Sequence, residues 1–121
     1  EFSHQEAVVI RRYTLRIDGF VSVEAPLSGG EVLTRPLVFS GRELLLNVST
    51  SAAGSIRVEL QDPVGNAIPG FSLAECPEIF GDFLARPVRW KSGAELASLA
   101  GQPVRLRFEL RDADLYSFQF R

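Results

Sequence analysis

Alternation is what most constrains this chain. Ile56-Arg57-Val58-Glu59-Leu60 switches between apolar and charged residues without a slip. Val104-Arg105-Leu106-Arg107-Phe108-Glu109-Leu110 does the same, and Leu115-Tyr116-Ser117-Phe118-Gln119-Phe120-Arg121 is a looser version. A period of two means strands with one face on a core and the other in water. Antiparallel sheets have this signature, whereas buried parallel strands read as unbroken apolar runs. The apolar parity puts Ile56, Val58, Leu60, Leu106, Phe108 and Leu110 inside. It puts Arg57, Arg105, Arg107 and Glu109 outside, with Glu59 and Glu109 read as parts of a solvated face.

The remaining elements follow from turn chemistry. Residues 8–16 are rich in β-branched and aromatic side chains and read as one strand. Asp18-Gly19 between apolar runs signals a hairpin, because a type I′ turn needs positive φ at both central positions. Residues 31–39 read as a strand in which Pro36 marks an edge or a bulge. Leu44-Leu45-Leu46 centres a buried strand, and residues 49–55 read as a small-residue loop before the next one. Asp62-Pro63-Val64-Gly65-Asn66 is a turn. Residues 72–84 form the longest irregular stretch. Val88 and Trp90 share an inward face, opposite Arg89 and Lys91. Residues 92–101 allow one short helix, with Ser92 as N-cap and Gly101 as stop. The sum is an all-β chain of about eight strands at a spacing of roughly 8–12 residues, which suggests a two-sheet antiparallel β-sandwich, jelly-roll-like.

At 121 residues and 45% hydrophobic content, one domain with a full core is expected over residues 7–121, after a tail or cloning scar at 1–6. The sequence holds no methionine, which suggests a domain cut from a larger protein. A net charge of -2 offers no basic footprint for nucleic acid. No apolar run has the length of a membrane helix. The single Cys76 has no intramolecular disulfide partner, so cysteine usage does not mark a compartment.

Chemistry-bearing motifs are sparse. The one histidine, His4, stands in the tail, and no Gly-x-Ser-x-Gly elbow occurs. Without a Cys/His cluster zinc has no ligands, and no glycine-rich loop opens a helix to cradle phosphate. No cofactor is expected. Asp18, Asp82, Asp112 and Asp114 fall at turns, where calcium ligands collect but where aspartates more often cap their own backbone. Flat aromatics stack on sugar rings. Trp90 shares the core parity of Val88, which leaves Phe80, Phe83 and Tyr116 as the aromatics not assigned to the core by parity.

Several segments resemble a known family. Leu15-Arg16-Ile17-Asp18-Gly19-Phe20-Val21-Ser22, Gly30-Glu31-Val32-Leu33-Thr34-Arg35-Pro36-Leu37 and Gly54-Ser55-Ile56-Arg57-Val58-Glu59-Leu60 are similar to segments of bacterial proteins resembling glycoside hydrolase family 32. So are Ile68-Pro69-Gly70-Phe71-Ser72, Val104-Arg105-Leu106-Arg107-Phe108 and Ala113-Asp114-Leu115-Tyr116-Ser117. In those proteins a five-bladed propeller carries catalysis and a C-terminal β-sandwich follows it. The resemblance covers the sandwich, and none of the propeller's carboxylate motifs occurs here. It implies a non-catalytic accessory module, binding carbohydrate or buttressing a catalytic propeller in the same full-length chain. It also implies a secreted or cell-envelope setting, which no residue marks.

Two other readings stand beside it: a purely structural protein–protein interaction sandwich, and a small glycan-active enzyme. An exposed aromatic row would favour carbohydrate binding, and an apolar strand edge would favour protein interaction. A cleft of Arg, Glu and Asp would favour the enzyme. A carbohydrate site, if present, is expected where residues 71–83 meet the turn at 111–116. Phe80, Phe83 and Tyr116 would supply the stacking faces there, and Asp82, Asp112 and Asp114 would orient hydroxyls.

Overall fold

The computed structural model describes residues 7–10, 13–16, 23–25 and 30–121. Among them are seven strands: β1 (Ala7–Ile10), β2 (Tyr13–Arg16), β3 (Val23–Ala25), β4 (Gly30–Thr34), β5 (Leu44–Gln61), β6 (Asp82–Pro87) and β7 (Arg105–Phe120). All pair antiparallel. The order is β2-β1-β4-β7-β5-β6, with β3 on β7 beside β4. The expected β-rich, antiparallel fold is therefore present, as one continuous hydrogen-bonded ladder.

Two long strands organise the sheet. β5 runs through the segment expected to be a loop, and β7 runs through the expected turn at 111–114. Each joins what the alternation alone reads as two strands. The ladder between them extends from Leu44↔Phe120 to Gln61↔Arg105 and slips twice. At the first slip Tyr116 is an extra residue on β7, between the partners of Asn47 and Val48. At the second, residues 51–54 of β5 face the single Asp112, which has a φ of 45°. Such bulges bend a strand and raise its twist. Phe108 and Phe118 show how far β7 bends. Ten residues of straight strand span about 33 Å, yet their ring centroids lie 5.4 Å apart. The sheet thus turns back on itself, with one arm on each side of the bend.

The inner faces of the arms make the core. Leu44, Leu46, Val48, Phe118 and Phe120 come from one arm, and Ile56, Val58, Leu60, Leu106, Phe108 and Leu110 from the other. Phe39 stacks on Phe120 at 4.2 Å. Trp90 closes one side, edge-on to Phe71 at 5.1 Å, and its Nε1–H donates to the Val58 carbonyl at 3.0 Å. A buried indole N–H normally finds such a partner. The core face expected from parity, including Val88 and Trp90, is buried as expected.

Other expectations change. Residues 8–16 are not one strand but the pair β1 and β2, in register Ile10↔Tyr13. β4 stops at Thr34, before Pro36, and Leu37 only bridges to Val104. The expected helix at 92–101 shrinks to a 3-10 turn, Leu96–Leu99, which drops Leu96 and Leu99 into the core. A second 3-10 turn, Leu73–Glu75, lies in the irregular stretch. Ser92 caps neither turn; its hydroxyl donates to the Gly70 carbonyl at 2.7 Å. The Asp62 turn forms as expected: one carboxylate oxygen accepts from the N–H groups of Val64, Gly65 and Asn66. Those bonds, Asn66 first, hold the Asp62 carboxyl below the ordinary aspartate range. The tail at 1–6, His4 and the Asp18-Gly19 hairpin lie outside the described residues.

Candidate functional site

β5 brings the two halves of the expected site to opposite sides of itself. Ser49 opposes Asp82 on β6 and Asp114 on β7, and Val48 opposes Phe83 and Leu115. Asp82 and Asp114 therefore share a face, two strand spacings or about 10 Å apart. The Ser49 hydroxyl donates to Asp82 Oδ1 at 2.7 Å. Tyr116 lies at the β7 bulge and is half-buried. Asp112 lies at the bend, where its carbonyl faces the Gly54 backbone. Phe80 stands 63% exposed at the corner that leads through Gly81 into β6. Register thus ties Asp82, Phe83, Asp114 and the bulged Tyr116 to one stretch of β5, while Phe80 and Asp112 occupy separate corners.

Among residues 30–121 Phe80 is the one aromatic with a largely open face. Phe39, Phe71, Trp90, Phe108, Phe118 and Phe120 are buried, and Phe83 and Tyr116 are half-buried. No aromatic row lines a sheet face among these residues. What is exposed instead is an apolar strand edge. β6 ends the sheet order, and its second edge meets no strand among the described residues. Leu84 on this strand is 87% exposed, with Phe80 just before it.

Beside β6 lies a groove of about 450 Å³ lined by Pro77, Ile79, Phe83, Ala85, Arg86, Pro87 and Arg89. Ile79 bridges to Ile56 on one arm, whereas Phe83 pairs with Val48 on the other, so the groove opens between the arms. β6 carries a bulge where Leu84 and Ala85 face Asn47. That extra residue puts Phe83 and Arg86 on one side, and the Arg86 guanidinium lies 4.9 Å from the Phe83 ring centroid.

A second cluster joins Arg107 to Glu59, a cross-strand pair that the outward parity of both residues allows, but it is not a solvated one. Glu59, expected on a solvated face, is only 6% exposed. The segment after the Asp62 turn folds over it. The Leu73 N–H donates to Glu59 Oε1 at 3.1 Å, and Gln61 Nε2 donates to Oε2 at 2.8 Å. Arg107 reaches the same Oε2 at 3.4 Å and also binds Glu31. Both Glu59 oxygens accept hydrogen bonds, and Arg107 bridges Glu59 and Glu31. Parity showed which way Glu59 points, but not that a loop would cover it.

Cys76 is buried, accepting from the Val58 N–H at 3.4 Å. Burial raises its thiol pKa. Among the described residues no group of three or more His, Cys, Asp or Glu side chains is placed to hold a metal ion. Among the described residues no helix is long and apolar enough to cross a membrane. Comparison with protein-family models, with curated proteins and with solved structures returns no match.

Proposed function

We propose that this chain is a non-catalytic accessory β-module that docks against a neighbouring protein domain. The observation that carries the reading is the open apolar edge of β6, with Leu84 and Phe80 exposed beside the groove. Monomeric proteins usually blunt or cover such edges, and here the β6 bulge and Pro87 blunt it only in part. The fold is read as a two-layer, jelly-roll-like sandwich made by folding one sheet, an arrangement supported by the Phe108–Phe118 contact across the bend. The segment resemblance to proteins of the glycoside hydrolase family 32 type supports a carbohydrate-active parent protein, with this module buttressing its catalytic propeller. Between the accessory roles, buttressing is favoured over sugar binding, because the exposed feature is a strand edge rather than an aromatic row.

The test is a comparison of the longer natural protein with and without this module. Docking predicts that the module raises the unfolding temperature of its neighbour, and that Leu84→Asp removes the gain while leaving the module folded. Identical unfolding with and without the module would refute it. A glycan-array screen tests the carbohydrate reading. Saturable binding that is lost in Phe80→Ala but kept in Leu84→Asp would restore Phe80, Phe83 and Asp82 as a sugar site.

A further inference from the structure

We infer that the groove beside β6 receives an extended, acidic polypeptide segment of the neighbouring domain, added as a strand to the open edge. This rests on the docking reading above and specifies the chemistry of what docks.

Two features point to an extended chain. The free edge of β6 offers main-chain groups that an incoming strand can pair with. Beside it, Phe83, Ala85, Pro87, Pro77 and Ile79 give the groove apolar walls, suited to alternate side chains of that strand.

The charge of the groove sets the sign of the partner. Arg86 and Arg89 line it, and no carboxylate does. The described residues hold no ion-pair partner for Arg86, whose guanidinium rests near the Phe83 ring. Arg89 reaches only Glu43, at 3.8 Å, and Glu43 is also held by Arg121 at 2.9 Å. The rim therefore carries excess positive charge on a chain whose net charge is -2. An acidic strand is attracted here and a basic one repelled. The β6 bulge and Pro87 keep the edge from regular pairing along its full length, which limits promiscuous association and leaves charge to select the partner.

The test uses the full chain, isotopically labelled, titrated with acetylated (Val-Glu)4 amide and separately with (Val-Lys)4 amide. The acidic peptide is expected to shift amides of residues 79–89 at about millimolar concentration, as a short unconstrained strand should. Arg86→Glu should weaken it by about fivefold and let the Val-Lys peptide bind in its place. Arg35→Glu, an exposed change outside the groove, should alter neither. If Arg86→Glu fails to fold, Arg89→Glu carries the same expectation. Equal binding of both peptides, or shifts absent at about 5 mM or confined to other strands, overturns the inference. So does concentration-dependent self-association abolished by Arg86→Glu, which would assign the groove to a second copy of this chain. Should Leu84→Asp uncouple the domains while the acidic peptide fails to bind, the docking function stands and this inference alone falls.

Discussion

Both carboxylate oxygens of Glu59 face hydrogen-bond donors: Leu73 N–H on one side, Gln61 Nε2 and Arg107 on the other. A glutamine has nearly the same shape but only one acceptor oxygen, so Glu59→Gln must turn an amide N–H2 toward a donor. Leaving buried donors unpaired costs about 1–3 kcal/mol. Urea unfolding of Glu59→Gln should show a loss in that range, while Glu109→Gln, exposed on the same ladder, should stay within about 0.5 kcal/mol. Equal, negligible losses would mean that the Leu73 turn is not fastened by this carboxylate. The contrast also marks what the sequence could disclose about a residue. Alternation places Glu59 and Glu109 on the same outward face, correctly. It carries no information about the later segment that lies over one and leaves the other wet, because that contact joins positions fourteen apart through a loop with no periodic signal.

At the scale of an element, the bend in the β5–β7 ladder depends on one glycine. A Cβ built on Gly54 would stand 2.3 Å from the Asp112 carbonyl oxygen and 2.6 Å from that of Arg111, both backbone atoms that cannot swing aside. Gly54→Ala therefore forces the strands apart where the arms must fold together. Overpacking of this kind costs about 1–3 kcal/mol, or more where backbone must move. Thermal unfolding should show a clear drop for Gly54→Ala and none for Ala52→Ser, an exposed change in the same bulge. An unchanged midpoint in Gly54→Ala would mean that the bend is looser than this packing. The paired segments of one arm are legible from sequence, since Ile56 to Leu60 and Val104 to Leu110 keep strict parity, and residues 115–121 of the other arm keep it more loosely. Their continuity through residues 51–54 and 111–114 is not. Small residues and aspartates there look like turns, and a bulge uses the same residue types as a turn. For the candidate site the balance was similar. Sequence makes Phe80 and Asp82 candidates for a loop site, whereas Asp82 opens β6 itself and Phe80 stands exposed just before it. The groove itself depends on pairing Phe83 with Val48 and Ile79 with Ile56, which local sequence does not specify.

Across the described residues, most stabilising pairs join distant parts of the chain. β4 meets β7 as Val32↔Phe108, and β5 meets β7 from Leu44↔Phe120 onward. No α-helix among the described residues supplies early local contacts. Loop closure must therefore precede most of the energetic return, which makes folding slow. The chain carries its own reporter, because its single tryptophan, Trp90, is 5% exposed and bonded to the Val58 carbonyl between the arms. Stopped-flow fluorescence after dilution from urea should follow Trp90 burial in milliseconds to seconds, in the range of β-sandwiches rather than helical bundles. Gly54→Ala should slow this phase if the bend forms in the transition state, and otherwise speed unfolding alone. A microsecond phase that recovered the full native fluorescence would show that Trp90 docks against a locally formed structure. The two arms would then have to assemble independently before the long ladder joins them.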